Sequence, residues 1–146
     1  MIRDMIAEDR AVFLEMAGKF YSSGAVDHAV DRSIYEASFD AAVGESPLIR
    51  AFMIEDGGRP VGFALVAFYF ATEVAGLVVL IEDLYLDETC RGKGLGSKFM
   101  QFIEQEYPEA KRFHLEVAKD NTRAIDLYEK LGYKELGYVQ MVKEVQ

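Results

Sequence analysis

Asp83-Leu84-Tyr85-Leu86-Asp87-Glu88-Thr89-Cys90-Arg91-Gly92-Lys93-Gly94-Leu95-Gly96-Ser97-Lys98 is the stretch on which the reading of this chain turns. An apolar run from Val78 to Ile81 leads into it and alternating residues carry it forward. A short basic, glycine-rich turn then opens a helical pattern at Ser97. A strand, such a turn and a helix together present free backbone N–H groups at a positive helix N-terminus, which suits a phosphate-bearing ligand. Two common phosphate loops fail on spacing. No stretch supplies the glycine, four residues and Gly-Lys-Ser/Thr of a P-loop. Gly92 and Gly94 are followed by Ser97 where a dinucleotide fingerprint needs a third glycine. What remains is Arg91-x-x-Gly94-x-Gly96: a fork of donors and two residues that let the backbone approach an anion. By itself that pattern fits any glycine-rich strand-to-helix turn.

Composition narrows the setting. At 146 residues, 51% apolar with ten Phe and eight Tyr, the chain reads as one folded domain over residues 1–146 with a real core. The longest apolar stretch, Val61 to Ala71, is only about half of the ~20 residues of a membrane span and is soon followed by Glu73. No membrane association is expected. Met1-Ile2-Arg3-Asp4 lacks the start of a secretory signal, and a single cysteine, Cys90, suits a reducing compartment, so a cytoplasmic location is expected. A net charge of −9 disfavours nucleic acid as a partner. One basic anion-binding turn in an acidic chain points instead to an anionic cofactor there and a cationic substrate elsewhere.

Outward from the turn, the pattern is that of an α/β chain of α+β type. Helical spacing runs over Glu8 to Tyr21 (Val12, Met16, Phe20) and Ala29 to Val43 (Ile34, Phe39, Val43). Leu48 to Ile54 reads as a strand, Asp56-Gly57-Gly58-Arg59-Pro60 as a hairpin turn, and Val61 to Phe70 as a long strand. A further turn near Gly76 leads into the strand that ends at Leu86. A helix from Leu95 to Glu106, stopped by Pro108, precedes a strand over Phe113 to Val117. Asn121 caps a helix carrying Ile125, Tyr128 and Leu131 on one side, Gly132 ends it, and Val139 to Val145 reads as a closing strand.

Two spaced motifs in this order resemble the GNAT superfamily of acetyl-CoA-dependent N-acetyltransferases. The first is the Arg/Gln-x-x-Gly-x-Gly/Ala turn, matched by Arg91, Gly94 and Gly96. The second is Asn121-Thr122-Arg123-Ala124-Ile125-Asp126-Leu127-Tyr128-Glu129-Lys130-Leu131-Gly132-Tyr133, with its opening Asn, its Ala and Tyr, and its Leu-Gly-Tyr end. The resemblance covers roughly residues 60 to 135. Within the superfamily, Gly62-Phe63-Ala64-Leu65, Ile81-Glu82-Asp83-Leu84-Tyr85-Leu86 and Arg91 to Lys98 look like the diamine (spermidine/spermine) acetyltransferase branch.

The resemblance implies a central mixed, mostly antiparallel sheet of about six to seven strands with about four helices, and a homodimer. It implies acetyl-CoA as co-substrate and no metal. The pyrophosphate would sit on the backbone of Arg91, Gly92, Lys93, Gly94, Leu95, Gly96 and Ser97. The pantetheine arm would pair like a strand with Leu84, Tyr85 and Leu86 where neighbouring strands splay, and Asn121, Ala124 and Tyr128 would complete the cofactor contacts. Glu82 is the implied base, through an ordered water, because an ammonium of pKa about 10 has no lone pair. The N–H of Leu84 would meet the oxyanion, Tyr128 would protonate the thiolate, and Asp83 would contact a substrate ammonium.

Adjacent strand residues point to opposite faces, so Glu82 and Asp83 share one site only if the strand bulges. His114, His28 and Cys90 match no family position. Asp27, Asp31 and Glu36 read as a solvated helix face that could border the acceptor groove. The implied activity is transfer of acetyl to the primary amine of a small molecule, polyamine-like or diamine-like. A protein N-terminus or lysine as acceptor, or a non-catalytic module that binds acyl-CoA, stays open.

Overall fold

The computed structural model describes residues 1–24, 26 and 28–145. The elements in chain order are β1 (Ile2–Asp4), α1 (Arg10–Tyr21), α2 (Arg32–Val43), β2 (Ile49–Asp56), β3 (Arg59–Ala71), β4 (Gly76–Leu86), α3 (Leu95–Glu106), β5 (Arg112–Leu115) and α4 (Thr122–Lys130). Short 3-10 turns precede α1 and follow β4. The strands form one sheet in the order β1-β2-β3-β4-β5, antiparallel except for the parallel pair β4–β5. This is the expected α/β class with four helices, but five strands stand among the described residues where six to seven were expected. Val139–Val145 forms no strand there; it pairs with nothing and lies exposed. Its apolar, β-branched residues Val139, Val142 and Val145 are compatible with a strand, but a strand is only made by a neighbour's hydrogen bonds.

The remaining elements follow local chemistry. Gly57 and Gly58 adopt φ of +60° and +78° between β2 and β3, the pair of left-handed residues that a tight hairpin with the right twist needs. Phe13, Met16, Ala17 and Phe20 recur at helical spacing and form the buried stripe of α1. Phe99, Met100 and Ile103 do the same for α3, which ends ahead of Pro108.

Each face of the sheet carries its own core. On one face, α1 and α2 cover Ala51, Met53, Phe63, Leu65 and Tyr85, with the Phe13 ring 5.0 Å from Phe63 and 5.2 Å from Phe39. On the other, α3 covers Phe52, Ile54, Val61, Ala64, Val66, Val79 and Ile81. Among the described residues no helix is long and apolar enough to cross a membrane.

The N-terminal edge is held by an ion pair that the composition does not betray. Asp9 is a buried charged residue, 7% exposed. Its carboxylate accepts both Nη groups of Arg3 at 2.8 and 2.9 Å and the N–H of Ile6 at 2.9 Å, while Arg3 Nε donates to Glu55 at 2.7 Å. The Arg3 guanidinium holds the Asp9 carboxyl below the usual carboxylate range, against the opposing effect of burial. A carboxyl with a depressed folded pKa contributes stability above its unfolded value, about 3.9, and loses it as pH falls through the folded one. Asp9→Ala is expected to lower unfolding stability by about 2 kcal/mol at pH 7. In urea titrations the gap between variant and native chain should narrow as pH falls below about 4.

Candidate active site

The register of β4 changes at Glu82. Leu65 of β3 pairs with Asp83 and Val66 with Ile81, so Glu82 is an extra residue with no partner on β3. This is a β-bulge, and its effect shows in the packing on either side. Ile81 and Leu84 both lie against the α3 core although they stand three positions apart, an odd offset that a regular strand would turn to opposite faces. Asp83 and Tyr85 face α1. The bulge thus meets the condition for Glu82 and Asp83 to serve one site.

The same shift re-aims the backbone. Lys111 N–H bonds the carbonyl of Leu77 at 2.8 Å, so before the bulge the odd-numbered residues of β4 turn their polar groups toward β5. Past it, Asp87 N–H bonds the carbonyl of Val61 at 2.8 Å. Antiparallel pairs alternate between bonded and non-bonded, so Tyr85 exchanges its bonds with Phe63 while Leu84 and Leu86 turn theirs away from β3. There they meet no strand, because pairing with β5 ends at Ile81–Leu115. The two strands part, and the N–H groups of Leu84 and Leu86 and the carbonyl of Leu84 line the gap. Two of the sequence expectations need adjusting. Tyr85 gives the gap no backbone group; its side chain is buried against Phe63 and its hydroxyl donates to Asp87 at 2.9 Å. The carbonyl of Leu86 already accepts Arg91 Nε at 3.0 Å.

At the far end of the gap lies the glycine turn. Gly92 and Gly94 have φ of +80° and +79°, and Gly94 is the residue that opens α3 without any side-chain cap. Among the described residues no backbone acceptor takes the N–H groups of residues 92–97; the first helical bond runs from Lys98 to Gly94 at 3.0 Å. A row of free donors at a helix start is an anion cradle. Helix α4 closes over it: Leu127 and Leu86 both pack within 3.9 Å of where a Gly96 Cβ would stand, and the Arg123 guanidinium lies 3.7 Å from the equivalent point on Gly92. Arg91, Lys93 and Lys98 are exposed around the turn. This end of the cleft therefore fits an extended chain ending in phosphates, such as coenzyme A.

Asn121 Oδ1 accepts the N–H of Ala124 at 3.3 Å, the cap expected for α4. Tyr128 is half-buried on the face of α4 that joins the α3 core, its ring 6.0 Å from Tyr133. Burial raises its phenol pKa, and its hydroxyl has no protein partner among the described residues. The Tyr133 hydroxyl, by contrast, is fully buried and also unpartnered.

The bulge end of the gap is acidic. Burial, then the charges of Asp83 and Glu116, push the Glu82 carboxyl above its ordinary value of 4.5. Burial raises Asp83 as well, opposed by a 2.6 Å hydrogen bond donated by the Tyr21 hydroxyl. Tyr21, at the end of α1, is stacked on Tyr35 with ring centroids 5.1 Å apart. Sequence reading missed Tyr21: it ends an apolar helix pattern, and nothing in that pattern says that its hydroxyl crosses to β4. Of the acidic residues expected on the groove border, Asp31 caps α2 through the N–H of Ser33 at 2.9 Å and Glu36 pairs with Arg32 at 2.8 Å. Asp27 lies outside the described residues. Cys90 is buried in the α3 core, and His114 Nδ1 is bonded to the Tyr69 hydroxyl at 2.9 Å. Among the described residues no group of three His, Cys, Asp or Glu could hold a metal ion.

The profile of the acetyltransferase (GNAT) family matches residues 12–133, from α1 to the residue after the Leu-Gly that ends α4. The chain belongs to this family. Among curated GNAT-like relatives, it is similar to thialysine N-epsilon-acetyltransferase of Sus scrofa, 30% identical over 64% of this chain and 60% of that protein. It is similar also to spermine/spermidine N(1)-acetyltransferase of Bacillus subtilis, 30% identical over 60% of this chain and 65% of that protein. The chain thus spans just under two thirds of the length of these relatives. In fold it resembles the structure of AAC(6')-Iy in complex with the bisubstrate analog CoA-S-monomethyl-acetylneamine, with a TM-score of 0.78 at 15% identity over 100% of this chain and 98% of that one.

The electrostatics of the bulge can be checked without any substrate. Tyr21→Phe removes the one hydrogen bond that favours ionised Asp83, so the Asp83 pKa is expected to rise further. Carboxyl-carbon NMR titration reads it directly; an unmoved Asp83 would show that the bond contributes nothing to its ionisation.

Proposed function

We propose that the protein is an N-acetyltransferase that moves acetyl from acetyl-CoA directly to a primary amine of a small polycationic molecule, polyamine-like or diamine-like, within a ternary complex. The observation that carries this reading is the bulge. It crowds two carboxylates, Glu82 and Asp83, into the acidic end of a gap whose other end is a basic anion cradle. The names of the similar spermine/spermidine and thialysine acetyltransferases favour the same acceptor class.

Acetyl-CoA supplies an activated acyl carbon and a thiolate leaving group. Residues 91–97 hold its pyrophosphate through free N–H groups, and Leu84 and Leu86 offer the pantetheine arm a strand-like edge. Glu82 takes a proton from the acceptor ammonium through an ordered water. Its raised pKa makes it a stronger base than an ordinary carboxylate while leaving it a proton acceptor. Asp83 and Glu116 attract the cationic remainder of the acceptor. The amine nitrogen forms its bond to the acyl carbon as the carbon–sulfur bond breaks. The Leu84 N–H donates to the carbonyl oxygen as charge builds on it. The Tyr128 phenol, protonated across the physiological range because burial raises its pKa, gives its proton to the departing sulfur and regains one through solvent from the nitrogen, which sheds its second proton as the amide forms. An ammonium and a thioester become an amide and a thiol with net release of one proton, and no covalent intermediate with the protein is needed.

Thiol release, followed across a panel of polyamines, diamines, thialysine, monoamines and lysine peptides, tests the reading. Polyamines and diamines are expected to turn over fastest. Tight CoA binding without turnover of any acceptor would sink it, and preference for peptides would move the acceptor class to proteins. Tyr128→Phe should lower kcat by about 10- to 10³-fold, within the range of acid–base contributions, with acetyl-CoA affinity kept; unchanged kcat would remove Tyr128 from the chemistry. Gly94→Val forces a β-branched residue into a left-handed conformation, so CoA affinity should fall in calorimetry. Native affinity in that variant would move the pyrophosphate elsewhere.

A further inference from the structure

The bulge sets two carboxyls side by side, and their surroundings decide which of them gives up its charge more readily. The exposed Glu82 carboxyl receives no hydrogen bond among the described residues. Asp83 Oδ2 accepts the Tyr21 hydroxyl at 2.6 Å, the short O–H···O⁻ length of a charge-assisted bond, while its Oδ1 takes no donor among the described residues. A phenol has a single hydrogen to donate, and Tyr21 commits it to Asp83. The other ionisable groups around the pair, Glu82 on the same strand, Glu116 on β5 and Tyr35 on α2, offer no positive charge. Tyr21 is therefore the one group packed against Asp83 that favours its ionised form.

That donor is held in place. The Tyr21 ring stacks on Tyr35 at 5.1 Å with an interplanar angle of 20°, and meets the Phe20 ring edge-on at 5.0 Å. Tyr35 belongs to the α1–α2 core and is only 8% exposed. The last turn of α1 is tied down as well: the Ser22 hydroxyl donates to the Gly18 carbonyl at 2.7 Å and the Ser23 hydroxyl to the Phe20 carbonyl at 2.6 Å. On the other side Asp83 is paired with Leu65 of β3. A fixed donor thus meets a fixed acceptor, across from a carboxyl that has no donor at all.

An acceptor with two ammonium groups makes two different demands. The nitrogen that attacks must lose a proton, so its partner has to be a group that can take one. The nitrogen that stays charged needs a permanent anion. Glu82 suits the first demand and Asp83, with Oδ1 open, the second. A monoamine makes only the first.

We propose that Tyr21 is a positioning residue which, acting through Asp83, makes the protein prefer acceptors that carry a second ammonium over monoamines of the same length. The inference rests on the bulge being the acceptor end of the proposed acetyltransferase site. It concerns acceptor binding, so it can fail or stand separately from the chemistry.

Calorimetric titration of the CoA-loaded chain with 1,4-diaminobutane and with n-butylamine, at pH 5.5 and 8.5, tests it. The native chain should bind the diamine more tightly at both pH values. Tyr21→Phe should cut that preference about tenfold at pH 5.5, on the scale of one hydrogen bond to a charged group. Loss of a donor that lowers the Asp83 pKa raises it, and a carboxyl is neutral below its pKa and charged above. The preference should therefore return at pH 8.5, where Asp83 ionises without help; a packing role for the hydroxyl would show no such recovery. Asp83→Asn should lack the preference at both pH values, and adding Tyr21→Phe to it should change nothing further. Equal weakening of both amines by Tyr21→Phe at both pH values overturns the proposal, as does a native chain with no preference. If amines turn over while Tyr21→Phe leaves the preference unmoved, this inference falls and the acetyltransferase reading stands. A Tyr21-dependent preference without thiol release supports the inference and removes the chemistry.

Discussion

One extra residue in β4 organises this molecule. Two requirements meet there: β4 must pair with β3 along its whole length, and it must also part from β5 to open a gap. A regular strand repeats its orientation every second residue, so it cannot change which groups it turns to a neighbour. Inserting Glu82 against β3 shifts the alternation by one. The residues before it offer their polar groups to β5, and Leu84 and Leu86 after it offer theirs to open space. The same shift sets the charges of Glu82 and Asp83 close enough to act on each other and on Tyr21.

Charge follows the geometry of that gap. The chain is acidic overall, yet Arg91, Lys93, Lys98 and Arg123 gather at the glycine turn while Glu82, Asp83 and Glu116 gather at the bulge. The two ends of the gap thus carry opposite sign. Loss of water raises both carboxyls, Glu82 from an exposed position and Asp83 from a half-buried one, because a carboxylate with less water around it favours its neutral form. Tyr21 opposes this at Asp83 alone, through a hydrogen bond to its ionised form. Two adjacent carboxylates therefore stand in different surroundings, Asp83 half-buried and hydrogen-bonded from α1, Glu82 exposed.

Much of the fold was legible residue by residue. The bounds of α3 follow from the spacing of Phe99 and Ile103 and from Pro108, and the cap of α4 from Asn121 three residues ahead of the N–H that it accepts. Gly57-Gly58 marked the hairpin, and Gly92 and Gly94 marked the cradle, because each is a local backbone requirement that only a few residues meet. What was not legible depends on partners distant in the chain. Asp9 reads as one more acidic surface residue until Arg3, itself held by Glu55 of β2, is seen to clamp it. Tyr21 reads as the end of an apolar stripe until its hydroxyl reaches Asp83, 62 residues further on. Val139–Val145 has the β-branched residues of a strand and forms none among the described residues, because composition describes a preference and not a partner.

The sequence by itself determined the class of the fold, the anion-binding turn, the acetyltransferase resemblance and the conditional that Glu82 and Asp83 could act together only across a bulge. Those are properties of short-range spacing, written in periodicity, glycine conformation and capping. Only the tertiary structure decided that the bulge exists, that it falls at Glu82, and that Leu84 and Leu86, not Tyr85, face the gap. Strand register is set by side chains packing on both faces of the sheet, between residues of β3 and β4 that no local pattern can align.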